Sequence, residues 1–443
     1  MTVVDSSMLT SHPHALTANP SPAPKGVVLP GVSLDGRRRG PRPDRLLGPG
    51  CTLLAEVSPD CSHAWREHRK RHGPLPVLDL ESLAEVADEA GLRGHGGAGF
   101  PTATKLRAMH GERGGVVVVN ASEGEHASAK DGVLLRHVPH LVLDGAVLAA
   151  RAVGARSVTV RVSVDRPDLP DLLRKAAAER TDVVPLEVSV GPATFVAGES
   201  SAVVNALGTG AALPALLGRP PRLPARRPVR RRAVLLSNVE TFARLALAAR
   251  GAPSASALLT VSGAVAAPGV LELPTSATVA AALAAAGGAT ERPSGLVSGG
   301  WHGRWLPWTA AVAEARLTRD GLAKVGGRWG AGILVALPAS RCPLGLVAAV
   351  AHTLADGSAG QCGPCRAGLP FAAAELARAA ISAVALGPGI VEASDALRQL
   401  KGRGLCAHPT AAAEALESAL EWARPEIARH RHGKCTGGDE RWR

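Results

Sequence analysis

Three cysteines near the C-terminal end carry the first chemical signal. Cys362 and Cys365 form a Cys-x-x-Cys pair, and Cys406 follows 41 residues after Cys365. Thiolates so spaced hold zinc or iron–sulfur clusters, and a Cys-x-x-Cys pair by itself is more often a zinc or structural element. Cys435 lies near the end of the chain, while Cys51, Cys61 and Cys342 stand alone. The second signal is the loop GLRGHGGAGFPT (91–102), with Gly94, Gly96, Gly97 and Gly99, and Lys105 six residues after the last of these. Glycines let the backbone approach a phosphate, exposed N–H groups hold its oxygens, and a lysine adds charge. The order is not the GxGxxG dinucleotide fingerprint set between a strand and a helix, which argues against an ordinary Rossmann site. A third signal is NASEGEH (120–126), which places Asn120, Glu123 and Glu125 directly after an apolar run. A fourth, GESSAVVNALG (198–208), opens a helix with Glu199.

These residues need elements to position them. The pattern from Leu78 predicts an amphipathic helix that stops at Gly91. A buried strand is expected at Val116–Val119, then a helix at His140–Val153, a strand at Ser157–Val164, a helix at Leu169–Arg180 and a strand at Leu186–Val190. This alternation is βαβ logic and predicts an α/β fold with a doubly wound parallel sheet. At the carboxyl edge of such a sheet, NASEGEH would face a ligand. A further strand is expected at Ala233–Leu236, after a segment (219–232) that holds seven arginines among prolines and reads as a surface loop. Short apolar runs with glycine turns at 251–325 suggest a small β-rich module, and helical periodicity returns from about Ile333. The divisions drawn are 1–77 as a mobile or irregular leader, 78–250 as the α/β domain, 251–325 as the β module and 326–443 as a helical domain.

Composition removes several classes. The 443 residues carry 50 basic and 38 acidic side chains, a net charge of +12. Only 2% are aromatic, with four Phe and no Tyr, so stacking on nucleic-acid bases has little to work with. No apolar run reaches the length of a membrane span and no secretory signal is evident, so a cytoplasmic protein without direct membrane insertion is expected.

The motifs occur in one order: RGHGGAGFPT, NASEGE with Lys-Asp at 130–131, FVAGE, NVET (238–241), CGPCRAG (362–368) and a later cysteine. In that order the chain resembles the flavoprotein (F) subunit of NADH–quinone oxidoreductase and its relatives in hydrogenases and formate dehydrogenases, across roughly residues 78–435. The resemblance implies a Rossmann-like FMN domain, a β-grasp soluble-ligand-binding module and a C-terminal helical bundle with a [4Fe–4S] site. It also implies NAD(P)H as substrate. Gly94, Gly96, Gly97 and Lys105 would hold the FMN phosphate. Asn120 and Glu123 would lie by the ring or ribityl chain, with Asn238 and Thr241 opposite, and Glu125 would face the nicotinamide. Phe100 and Phe195 match positions that pack on NAD, and Glu199 opens the family's Gly-Glu-Glu turn. Cys362, Cys365 and Cys406 match three cluster ligands. Expected partners are a small [2Fe–2S] ferredoxin-like protein or a membrane reductase, the latter implying a peripheral place at the membrane's inner face.

Departures from the family pattern are specific. His95 replaces an arginine, Ser122 an aspartate, Ser200 the second glutamate of the turn, Ser237 an asparagine, and Leu223 an aromatic residue. Ala359 stands where the family has its first cluster cysteine, and a methyl group cannot bind iron. Ser358, Asp356, His352 or Cys435 would have to substitute, or a [3Fe–4S] cluster would form. These losses support an alternative reading, a scaffold or assembly protein of the same fold that does not oxidise NADH.

Overall fold

The computed structural model describes residues 29–30, 32, 42–48, 50–55, 57, 64–112, 114–182, 184–215, 232–252 and 255–438. Cys61, Leu223 and all but Arg232 of the arginine-rich segment 219–232 lie outside these.

Four parallel strands form the first sheet: β1 (Val116–Ala121), β2 (Val158–Ser163), β3 (Leu186–Gly191) and β4 (Val234–Asn238), in the order β3-β2-β1-β4. The β1 and β2 runs are buried along almost their whole length, as a sheet covered on both faces requires. The chain winds outward from β1 to β2 and β3, then returns to place β4 on the other side. The reversal makes the β1/β4 seam a topological switch point, where a crevice opens beyond the carboxyl ends. In the register of that seam Asn120 pairs with Asn238. Two motifs more than a hundred residues apart therefore meet side by side.

Helix Pro139–Ala152 and helix Val239–Ala248 cover one face of this sheet. Their backbones touch at Gly145, where an added Cβ would stand 1.9 Å from the Phe242 carbonyl oxygen. Only glycine fits that crossing. Among the described residues no single helix is long and apolar enough to cross a membrane. The bent pair Lys130–His137 and Pro139–Ala152 has the length and composition, but it turns through 97° and is largely buried in this core.

The second sheet has the order β6-β5-β9-β7-β8, from β5 (Ser256–Gly263), β6 (Gly269–Pro274), β7 (Pro293–Ser298), β8 (Arg304–Pro307) and β9 (Ile333–Pro338). Strand β9 is central, parallel to β5 and antiparallel to β7. The β module therefore extends to Pro338, past the boundary drawn at 325. The run ILVALP, expected to begin the helical domain, is a fully buried strand. The leader also needs correction. Trp65–His72 is a helix, and Leu53, Leu54 and Val57 pack into the core of the first domain. The C-terminal part is helical as expected, with helices Pro343–Asp356, Leu369–Ile381, Ala383–Leu400, His408–Trp422 and Arg424–Arg431.

Candidate flavin and iron–sulfur site

Strand β1 ends in a tight polar turn. Glu123 has φ +41°, the one non-glycine residue in the left-handed region among the described residues. The strained position aims its carboxylate at the start of helix Lys130–His137. There it accepts from the Asp131 and Gly132 amides at 3.0 and 3.2 Å and from the Ser128 hydroxyl at 2.7 Å. Arg166 Nη2 donates to it at 2.7 Å. Burial would raise the Glu123 pKa, but Arg166 and Arg42 outweigh it and hold the group ionised. Glu123 thus orients the helix that delivers Lys130 and Asp131.

Lys130 is 1% exposed. Its ammonium lies 2.8 Å from Asp131 Oδ1, 3.0 Å from Glu240 Oε2 and 3.1 Å from Asn238 Oδ1. Burial alone would favour the neutral amine, yet Asp131 and Glu240 raise its pKa above the ordinary lysine value. Glu240, raised by burial, is brought down to about 2 by His95, Lys130 and Arg244. Asn120 Nδ2 donates to the Gly198 carbonyl at 2.8 Å, tying the end of β1 to the turn Phe195–Gly198. Glu199 then caps helix Ser200–Thr209 by accepting from the Ser201 and Ala202 amides.

A cavity of about 630 Å³ opens over these groups, within the size range of cofactor sites. Gly96 and Gly97 line it, as do Asn120, Glu123, Glu125, Phe195, Glu199 and Asn238. Gly97 has φ +114° and nothing within 4 Å of where a Cβ would stand, so its backbone faces open space. The β module supplies a second wall through Gly299, His302 and Arg319, and the helical domain a third through Cys406 and His408.

Other expected site residues take supporting places. Lys105 does not line the cavity. Its Nζ donates to the Leu236 carbonyl at 3.1 Å, and Lys130 is the lysine that reaches the cavity. Gly94 sits behind the loop, its carbonyl accepting from Arg319 at 3.3 Å. Thr241 Oγ1 accepts from the His95 amide at 3.1 Å. Ser122 and Ser237 are buried beneath the floor, Ser200 is exposed, and Phe100 is 47% exposed outside the lining.

Lys130, Asp131, Arg319, His302 and His408 went unselected in the sequence. Lys-Asp at 130–131 belonged to the motif order and was the available signal. The others come from distant elements. His302 Nε2 and His408 Nδ1 lie 3.0 Å apart, with Phe195 packed against both rings.

Glu125 is half-buried and accepts from the Ala127 amide at 3.1 Å and the Trp301 amide at 2.8 Å. Burial, only partly offset by those bonds and by Arg42, raises its pKa from 4.5 to about 7. A raised folded-state value stabilises fully below the unfolded pKa and is lost as pH rises through the folded one. In ligand-free protein this group should therefore cost up to about 3 kcal/mol between pH 5 and 8. Glu125→Gln should melt increasingly above wild type across that window. A difference that does not change with pH would contradict the assignment.

The cysteines converge from two segments. Burial would raise the Cys362 pKa, but backbone amides of Leu405 and Cys365 lower it and favour a thiolate. Cys365, pushed up to about 12 by burial and by Cys362, also feels Cys406 and takes a side-chain bond with Ser358. The three-thiolate donor set fits an iron–sulfur cluster, and Ser358 is the alternative fourth donor already at the site. His352 and Asp356 are exposed. Cys435 is grouped elsewhere, with Cys342.

A switch-point cavity walled by a glycine loop and by Cys406 is the arrangement of an oxidoreductase component that binds FMN and an iron–sulfur cluster. Residues 87–247 match the Nuo51 FMN-binding domain, 258–300 the SLBB domain and 345–430 the NADH-ubiquinone oxidoreductase-F iron-sulfur binding region. The F subunit of NADH-quinone oxidoreductase from Salmonella typhimurium is 28% identical over 403 residues, covering 82% of this chain and 88% of that protein. Its counterpart from Streptomyces coelicolor is 25% identical over 433 residues, 89% and 94% of the two chains. The crystal structure of an NAD+-reducing [NiFe]-hydrogenase in the H2-reduced state superposes with a TM-score of 0.70 at 25% identity, covering 87% of this chain and 67% of that one. Across most of its length the chain is thus similar to the flavoprotein (F) subunits of NADH–quinone oxidoreductase, and it carries the matches to their FMN-binding, SLBB and iron–sulfur regions in one order.

Proposed function

We propose that the chain oxidises a reduced nicotinamide in this cavity and passes electrons to a partner. One observation carries the reading: Cys406 lines the same cavity as Asn120 and Asn238. The cysteine thus links the flavin crevice to the cluster region without an intervening domain. Bound FMN would supply hydride acceptance and one-electron release, and a cluster held by Cys362, Cys365 and Cys406 would supply the exit. The protein's own part is positional. Asn120 and Asn238 would hold the flavin edge, the 96–98 backbone with Lys130 and Arg319 its polar and anionic groups, and Phe195 with Glu125 and Glu199 the nicotinamide side. Buried walls exclude water, and no side chain need transfer a proton.

Purified protein should show flavin absorbance that NADH bleaches under anaerobic conditions. Heat-released flavin should be FMN, and stoichiometric FAD would refute the assignment. A colourless protein would favour the scaffold reading, which the methyl group of Ala359 supports. The partner proposed is a small [2Fe–2S] ferredoxin-like protein or a membrane reductase, and the place proposed is the cytoplasm, peripheral to the membrane.

Coenzyme choice follows from charge. Ser200 has no carboxylate to repel a 2′-phosphate, and Glu125 is half protonated near neutrality. Weak discrimination between NADH and NADPH is therefore expected. Ser200→Glu should restore NADH preference by about one or two powers of ten, the screened remainder of a direct charge repulsion. Steady-state kcat/KM for both coenzymes checks it; strong NADH preference in wild type, unchanged by the mutation, would refute it.

A further inference from the structure

Cys342 and Cys435 are both outside the matched iron–sulfur region, which ends at residue 430. They meet at the base of the helical domain. Cys342 caps helix Pro343–Asp356 just after β9, and Cys435 lies in the tail beyond helix Arg424–Arg431. Between them stand Glu426 and His430, four residues apart and so on one face of that last helix. All four side chains are buried, and one ligand atom from each lies within 4.8 Å of every other. Among the described residues no other group of three or more His, Cys, Asp or Glu ligand atoms is drawn together so closely.

We propose that Cys342, Glu426, His430 and Cys435 bind a structural zinc ion, at a site separate from the cysteines of the iron–sulfur region. The donor set is two sulfurs, one imidazole nitrogen and one carboxylate oxygen, which suits zinc and disfavours the hard ions magnesium and calcium. Tetrahedral bonds of ordinary zinc length require an S···N edge of about 3.5 Å and an N···O edge of about 3.3 Å. Cys342 Sγ and His430 Nε2 are 3.5 Å apart, and His430 Nε2 and Glu426 Oε1 are 3.1 Å apart. The donors already stand at the spacing of a coordination shell.

Backbone amides and a hydroxyl already hold these donor atoms in place. The Gly345 amide donates to Cys342 Sγ at 3.4 Å and the Gly437 amide to Cys435 Sγ at 3.3 Å. Thr436 donates to Glu426 through its amide at 2.7 Å and its hydroxyl at 2.5 Å, fixing the carboxylate's orientation. Such outer contacts orient ligands and tune affinity. Zinc with two thiolates, a carboxylate and a neutral imidazole carries a net charge of −1, and Arg429 Nε lies 3.5 Å from Glu426 Oε2 to offset it. The ion would staple the β9–helix junction to the C-terminal tail, closing the domain that presents Cys362, Cys365 and Cys406.

Metal analysis of the full chain tests this, after expression with iron and zinc and anaerobic cluster assembly. One zinc per chain is expected alongside the iron. Cys435→Ser and His430→Ala should each lower zinc at least about tenfold, whereas His430→Cys keeps four donors and should retain it. Should the first two variants fail to fold, cobalt substitution of the unaltered chain decides. Ligand-field bands of a tetrahedral thiolate site are then expected with the iron content unchanged. The proposal is overturned by a folded, iron-loaded chain without zinc, by zinc that survives loss of both Cys435 and His430, or by a Cys342–Cys435 disulfide found by thiol alkylation.

Discussion

Lys130→Met is expected to destabilise the protein by about 3–5 kcal/mol, because it leaves buried carboxylates without their cation. Asp131 and Glu240 both contact the Lys130 ammonium, and all three side chains are almost fully buried. Glu240 would keep Arg244, whose Nε lies 2.8 Å away. Asp131 would lose its main counterion. It would keep the Asn238 amide, while burial and Glu123 already raise its pKa to about 6. Most of the cost therefore falls on Asp131, and Lys130→Met/Asp131→Leu should recover a substantial part of it. Because Lys130 also lines the cavity, the single variant should lose bound flavin. Lys105→Ala should cost only about 1 kcal/mol, since its ammonium gives a single bond to a strand carbonyl. Urea unfolding of the three variants, with flavin fluorescence as a second readout, ranks them. A Lys105 variant more harmful than the Lys130 variant would overturn the placement of the two lysines.

That ranking reverses the one suggested by the glycine loop alone, and the reason is geometric. Lys105 is near the loop in sequence, but Lys130 is brought to the cavity by Glu123, which holds the start of its helix. Linear distance could not reveal this. The parallel sheet was legible because buried strands such as Val116–Val119 write themselves as unbroken apolar runs. ILVALP has the same character, yet a short apolar run does not separate strand from buried helix, and the helical text after it points to a helix where the structure has a strand. Trp65–His72 was missed because WREHRKRH shows no apolar period, and it is held by Trp65 and His68 against Arg180, His140 and Asp144. The break between helices at Ser382 depends on its hydroxyl capping the Ala385 amide, a local signal hidden in alanine-rich text. His302 with His408, and Cys342 with Cys435, are each about a hundred residues apart or more. Only the assembled chain pairs them.

Cys362, Cys365 and Cys406 form the clearest signal in the sequence and stand beside the sharpest departure, Ala359. Ala359→Cys is expected to convert a labile or three-iron cluster into a stable [4Fe–4S] cube, with higher iron content and slower loss to chelators. A cube needs a ligand on each iron, and three thiolates leave one iron to water or a weaker donor. Ala359 is half-buried beside Ser358, and Ser358 already bonds to Cys365. The chain at Ser358 therefore passes close to Cys365, and a cysteine at the next position lies one residue from that contact. A serine oxygen is a harder and poorer ligand for iron than a thiolate. Ser358→Ala in the wild-type background should lower iron retention further, and the same change in the Ala359→Cys protein should matter little. EPR and Mössbauer spectra of anaerobically prepared protein, with iron counted per chain, separate the cases. Wild-type spectra of an intact cube ligated by four cysteines would show that the residue matched to the family's first ligand is the wrong one.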